Sequence, residues 1–153
     1  MTDTAFSAPP RAVQVAFAGF ATALLAGVGE GLLRAATVLQ RDFADLTNVA
    51  SGLAMRLTIY SVVLLVAFRM SAGARWARLA LTIGIGVLGL ASLLIEPLAA
   101  LLSADEFGEL FAHLTAESVA LGLLRAIHVV AVLIAIPAMY RPAARSYFRR
   151  RTG

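Results

Sequence analysis

The sequence predicts an all-α fold, a four-helix transmembrane bundle, on three observations. Hydrophobic residues make up 60% of the 153-residue chain and charged residues 14%, against about 45–50% and ~25% in a soluble domain. Four stretches are each apolar for roughly 20 residues, the length that crosses a ~30 Å hydrocarbon core at 1.5 Å per residue. Each stretch holds one charge, Glu30, Arg56, Glu96 or Arg125, and the two acids and two bases cancel. This composition excludes a soluble fold. The length leaves room for one integral membrane domain, residues 1–153, with short loops.

The first dozen residues, through Pro9, Pro10 and Arg11, lack the charged start and small-residue cleavage site of a secretory signal and read as a loose tail. Span one covers about 12–33, apolar except for Gln14, Thr22 and Glu30. Span two runs from about 49 to 68 and contains Arg56. Arg69, Arg75 and Arg78 bracket a short loop holding Gly73, and span three follows over about 79–102 with Glu96 and Pro97 near its end. Span four covers about 118–140, and a basic tail closes the chain over 141–153. Pro97 and Pro137 each remove a backbone donor, so each either bends its span or marks its end.

Direction follows from the arginines, because positively charged loops resist translocation while acidic ones matter little. The loop after span two has three arginines and no acid, and the tail has Arg141, Arg145, Arg149, Arg150 and Arg151. The loop between spans three and four carries Asp105, Glu106, Glu109 and Glu117 and no arginine. Both termini are therefore expected in the cytoplasm, with the basic tail lying on anionic lipid headgroups. In the outer loop, Phe107, Leu110, Phe111 and Leu114 recur at helical spacing, and Ser103 with Glu106 fits a capping box, predicting a short amphipathic helix. Leu39, Phe43 and Leu46 interleaved with Arg41, Asp42 and Asp45 suggest a weaker version in the first connection. Either segment fits a surface helix on lipid or a lid on the bundle.

Counting from the cytoplasmic arginines gives the depth of each charge. Glu30 is 19 residues from Arg11, Glu96 is 18 from Arg78, Arg125 is 16 from Arg141 and Arg56 is 13 from Arg69. At 1.5 Å per residue these are about 28, 27, 24 and 20 Å, one layer in the outer third of the core. Helical phase then aims them inward. Gly19, Ala23, Gly27, Glu30, Gly31 and Arg34 share a face of span one, a ladder of small residues suited to close helix contact. Thr82, Gly89 and Ser92 accompany Glu96; Gly52 and Tyr60 accompany Arg56; Ser118, Gly122 and His128 accompany Arg125. Convergence is expected because an unpaired charge at mid-bilayer costs about 3–15 kcal/mol.

The spacings Glu30 to Arg56, 26 residues, and Glu96 to Arg125, 29 residues, place an acid on each outbound helix and a base on each returning one, which raises a duplicated two-helix hairpin. The candidate polar site is therefore Glu30, Arg34, Arg56, Tyr60, Glu96, Arg125 and His128. Two uses remain open: ion pairs that glue the helices together, or a proton-exchange or ligand-anchoring site. Cysteine is absent, which removes disulfides and thiolate chemistry. The two histidines, His113 and His128, lie at different depths, so no metal or haem is expected, and no nucleophile with a base can be assembled. A cofactor-free, non-enzymatic protein follows as the expectation.

Ala74, Arg75, Trp76, Ala77 and Arg78 leading into Leu81 and Thr82, and the closing run Arg141, Pro142, Ala143, Ala144, Arg145, Ser146, Tyr147, Phe148 and Arg149, resemble the small uncharacterised multi-pass proteins of actinobacteria. The resemblance covers about a fifth of the chain and implies a bacterial plasma-membrane location and no particular activity. Four helices with an acid in the first are similar to small multidrug exporters, but Glu30 is expected too near the outer boundary for that class. The expected role is a structural or accessory membrane subunit, partnered by the lipid bilayer and by a second copy or another membrane protein, not by nucleic acid. The alternative is a small transporter or proton-coupled permease using Glu30 and Glu96.

Overall fold

A computed structural model describes residues 8–40, 45–103 and 115–150; the side chains at 96, 97, 100, 101, 103 and 150 lie outside that description. Every regular element among these residues is helical: α1 (Arg11–Leu39), α2 (Leu46–Ser71), α3 (Arg75–Leu81), a π-helical stretch (Thr82–Gly89), α4 (Leu90–Ser103), α5 (Ala116–Met139) and α6 (Pro142–Arg150). Four runs are long and apolar enough to cross a membrane: α1, α2, the stretch from Arg75 to Ile95, and α5. The first, second and fourth exceed the apolar runs read from the sequence, because those helices continue through flanking residues.

Local chemistry sets the ends. Pro10 occupies the N-cap of α1, where its fixed φ suits the entry and its missing N–H leaves nothing unsatisfied, and Gln14 Nε2 donates to the Pro9 carbonyl at 2.8 Å. Asp45 caps α2, accepting from the backbone N–H groups of Thr47 at 2.9 Å and Asn48 at 3.2 Å. Gly73, at φ 96°, ends α2: its N–H bonds to Met70 O at 2.9 Å, and Ala74 N–H bonds to Arg69 O at 3.0 Å. This is a Schellman closure, and only glycine takes that φ without strain. Thr115 and Ser118 form a reciprocal capping box at the start of α5.

Ser103, expected to cap an outer-loop helix, is helical and is the last described residue of α4; residues 104–114, with Asp105, Glu106, Phe107, Glu109, Leu110, Phe111, His113 and Leu114, lie outside the described residues. In the first connection 41–44 lie outside as well. Position 97 sits inside α4, which continues six residues beyond it, and Pro137 lies two residues before the end of α5. The irregularity of the third run is instead the π-helical stretch at Thr82–Gly89, where Gly84, Gly86 and Gly89 supply a backbone without side-chain bulk. A Cβ on Gly86 would collide with Ile136 of α5, so that helix approaches across a glycine.

Packing is concentrated at one end. Val13, Phe20, Met70, Leu81, Val132, Met139 and Phe148 are the largest fully buried side chains, and they gather where α6 folds against the helix ends. Small residues bring α1 and α5 together: a Cβ on Gly19 would lie 2.8 Å from Ala135 Cβ and 2.9 Å from the Ala131 carbonyl oxygen. α2 buries only Ala67 and Met70, both near its α6 end. α2 thus packs closely at the α6 end and splays from α1 and α5 at the other, where those two helices stay tied by Thr37 and Glu117.

The tail forms a helix docked on the bundle: α6 buries Ala144, Tyr147 and Phe148, and Tyr147 OH donates to Ser71 O at 2.9 Å. Arg75 Nε donates to Phe148 O at 3.1 Å, while the Arg78 guanidinium lies 4.8 Å from the Tyr140 ring centroid and 5.2 Å from that of Phe148. Three-and-four spacing on a short helix turns Ala144, Tyr147 and Phe148 onto the bundle and leaves Arg141, Arg145 and Arg149 exposed.

Candidate functional site

Glu30 is the buried charged residue of the described chain, 8% exposed. Its Oε1 accepts from Arg125 Nη2 of α5 at 3.1 Å and stands 3.2 Å from Arg34 Nη2, one turn along α1. The carboxylate therefore joins α1 to α5 within the apolar length of both helices. Thr37 Oγ1, two turns beyond Glu30, adds a second tie by donating to Glu117 Oε1 at 2.7 Å.

The hairpin spacing suggested Glu30 with Arg56 as one acid–base pair, and the structure differs. Helix α5, not α2, presents the base to Glu30, because the close α1–α5 contact at Gly19 carries Arg125 onto the Glu30 face. Arg56 has no ion pair or hydrogen bond among the described residues. Its stem runs over Gly31, whose added Cβ would be 3.6 Å from Arg56 Cδ. Glu96 belongs to α4, but its side chain lies outside the described residues.

Below the charges the splayed helices leave a cavity of about 750 Å³. Its head is made by Glu30, Arg34, Arg56 and Arg125, with Tyr60 and His128 just beneath; its walls descend through Val63, Val66, Leu81 and Ile85. From Arg56 to Val66 is ten residues of α2, about 15 Å along the helix. The π-helical stretch contributes Gly84, Ile85 and Gly89, and α4 adds Ser92 and Leu93. π-helical segments are rare and recur at functional sites. A smaller cavity of about 280 Å³ between α1 and α2 is also lined by Arg34 and Arg56, together with Gly31 and Gly52. The two arginines thus border both spaces.

Gly27 marks where the head meets the walls. A Cβ there would lie 2.8 Å from Tyr60 Oη and 3.6 Å from His128 Nδ1, so both polar groups close over the glycine. His128 Nδ1 is buried with no hydrogen-bond partner among the described residues, an open polar atom of the kind that a water or ligand satisfies.

Of the residues the sequence singled out, Glu30, Arg34, Arg56, Tyr60, Arg125 and His128 line one cavity. Gly89 and Ser92 join them. Thr82 does not: its hydroxyl bonds to Arg78 O at 2.9 Å and lies 3.0 Å from Tyr140 Oη, at the α6 end. Ser118 serves as a cap, and Gly122 and Gly52 have no heavy atom within 4 Å of an added Cβ. Sequence reasoning missed the apolar lower walls, whose signal was the run of small and branched residues from Ala80 to Gly89. Among the described residues no group of three or more His, Cys, Asp or Glu side chains could hold a metal ion.

No family model, curated protein or solved structure matches the chain, so its all-helical architecture and its charged-headed cavity are what define its class.

Proposed function

We propose that the chain is a non-enzymatic multi-pass protein of the bacterial plasma membrane that holds an amphipathic anion in its interior. One observation carries this reading: a 750 Å³ cavity whose walls are apolar and whose head presents three guanidinium groups against one carboxylate among the described residues. Arg56 has no ion pair or hydrogen bond among the described residues, and an anionic headgroup complements its charge while a hydrocarbon portion complements the walls. The volume falls within the usual ~300–1,000 Å³ of small-molecule sites.

The long apolar exposed surfaces, Leu57, Leu65 and Phe68 of α2 among them, fit contact with lipid or with another membrane subunit. The arginines at the α2–α3 turn and in α6 support placing both termini in the cytoplasm.

The test is binding of a fluorescent long-chain carboxylate or sulfonate to the purified chain, with a trimethylammonium probe of equal length as control. The anion is expected to bind and the cation to bind much more weakly. Arg56→Gln is expected to weaken anion binding roughly tenfold, the scale of one charge-assisted contact. Equal binding of both probes would remove the reading.

A second use of the same site is supported by Glu30 and His128 lining one cavity. A buried carboxylate beside an imidazole whose Nδ1 has no hydrogen-bond partner among the described residues suits proton exchange coupled to solute movement; Glu96 is the second acid that the sequence offers. Liposomes containing the chain should then show proton-linked solute flux, and flux that survives Glu30→Gln with Glu96→Gln would refute it.

A further inference from the structure

The far end of the bundle carries a different kind of pocket. Four arginines from two helices line a space of about 520 Å³: Arg75 and Arg78 of α3, and Arg145 and Arg149 of α6, with Pro142 and Phe148 completing the wall. Among the described residues no acidic side chain lines it. The arginines come from segments some 70 residues apart in sequence, and the docking of α6 brings them together. Arg75 is fixed by donating to Phe148 O at 3.1 Å and Arg149 O at 3.4 Å. Arg78 lies against the rings of Tyr140 and Phe148, 4.8 and 5.2 Å from their centroids. Neither Arg78 nor Arg145 donates a side-chain hydrogen bond or forms an ion pair among the described residues.

Two such guanidinium groups side by side repel one another unless an anion joins them, and a planar guanidinium fork suits the oxygens of a phosphate. The neighbouring Trp76 is 59% exposed at the end of an apolar run, the position where tryptophan marks the depth of lipid headgroups. We propose that this pocket binds a phosphate group, and that its source is the headgroup of an anionic phospholipid whose acyl chains lie along the adjoining apolar helix faces. This goes beyond a basic tail lying on a charged surface: α3 supplies half of the donors, and the site is a built pocket. It stands independently of any ligand in the central cavity.

The experiment titrates the purified chain with dihexanoyl phosphatidylglycerol, dihexanoyl phosphatidylcholine and inorganic phosphate, reading binding by thermophoresis. Phosphatidylglycerol is expected to bind at least roughly tenfold more tightly than phosphatidylcholine. Arg78→Gln with Arg145→Gln removes that preference, whereas Arg141→Gln, an equally exposed charge outside the pocket, leaves it within about twofold. Thermal unfolding midpoints close to that of the native chain serve as a check that the variants are folded. Inorganic phosphate that binds as tightly as the lipid, and is lost in the double variant, keeps the phosphate site but assigns it to a soluble anion. Equal affinity for the two lipids without phosphate binding, or an Arg141→Gln loss as large as that of the double variant, overturns the proposal.

Discussion

Replacing Glu30 by alanine is expected to cost about 3–5 kcal/mol, the range for removing one partner of a buried ion pair. The carboxylate sits between Arg34 and Arg125, at 3.2 and 3.1 Å, and its side chain is 11% exposed. Without it, Arg125, whose side chain is 22% exposed, loses the carboxylate that ties α5 to α1. Thermal unfolding of the purified chain in detergent should show a large drop in midpoint, together with lower folded yield. Arg56→Ala provides the contrast. Arg56 breaks no pair on removal, so its loss should alter stability by no more than about 1 kcal/mol even as it weakens anion binding. Equal destabilisation by both substitutions would show that the Glu30 cluster is not what ties α1 to α5.

The second large effect is expected at Gly19. The would-be Cβ lies 2.8 Å from Ala135 Cβ and 2.9 Å from the Ala131 carbonyl oxygen, and the latter is backbone that cannot swing aside. Gly19→Leu must force α1 and α5 apart and should destabilise by about 3 kcal/mol or more, above the usual cost of overpacking because the obstruction is main chain. The charge cluster should suffer too, since the same crossing sets the approach of Arg125 to Glu30. Gly122→Ala is the control. No heavy atom lies within 4 Å of its added Cβ, so the exchange should be neutral or stabilise α5 by about 0.5–1 kcal/mol through helix propensity. The two variants, compared by thermal unfolding, separate a glycine used for contact from one that is not.

Much of the fold was legible because its signals are local. Apolar length located four helices, and a ladder of small residues correctly turned Gly19, Gly27, Glu30 and Gly31 inward. The partner of Glu30 was not legible. Helical phase says which face a residue takes but not which helix lies opposite, and α1 meets α5 across most of the sequence. The π-helical stretch leaves no periodic signature, since its glycines fit an α-helix equally well. Residues of the tail read as a charged anchor because Arg141, Arg145 and Arg149 dominate its composition; the docking signal was the spacing of Ala144, Tyr147 and Phe148. Splaying of the helices, and hence the cavity, depends on how tightly each pair packs along its length, which a pattern of apolar residues does not encode.

The contact between α1 and α5 through Glu30 is tested most directly by a double-mutant cycle. Unfolding free energies are measured for the native chain, Glu30→Gln, Arg125→Gln and the variant with both changes. A coupling of at least about 1.5 kcal/mol is expected, with the doubly changed chain little worse than the weaker single variant. Strictly additive losses would mean that the two side chains do not meet, and the charged head of the cavity would not exist as described.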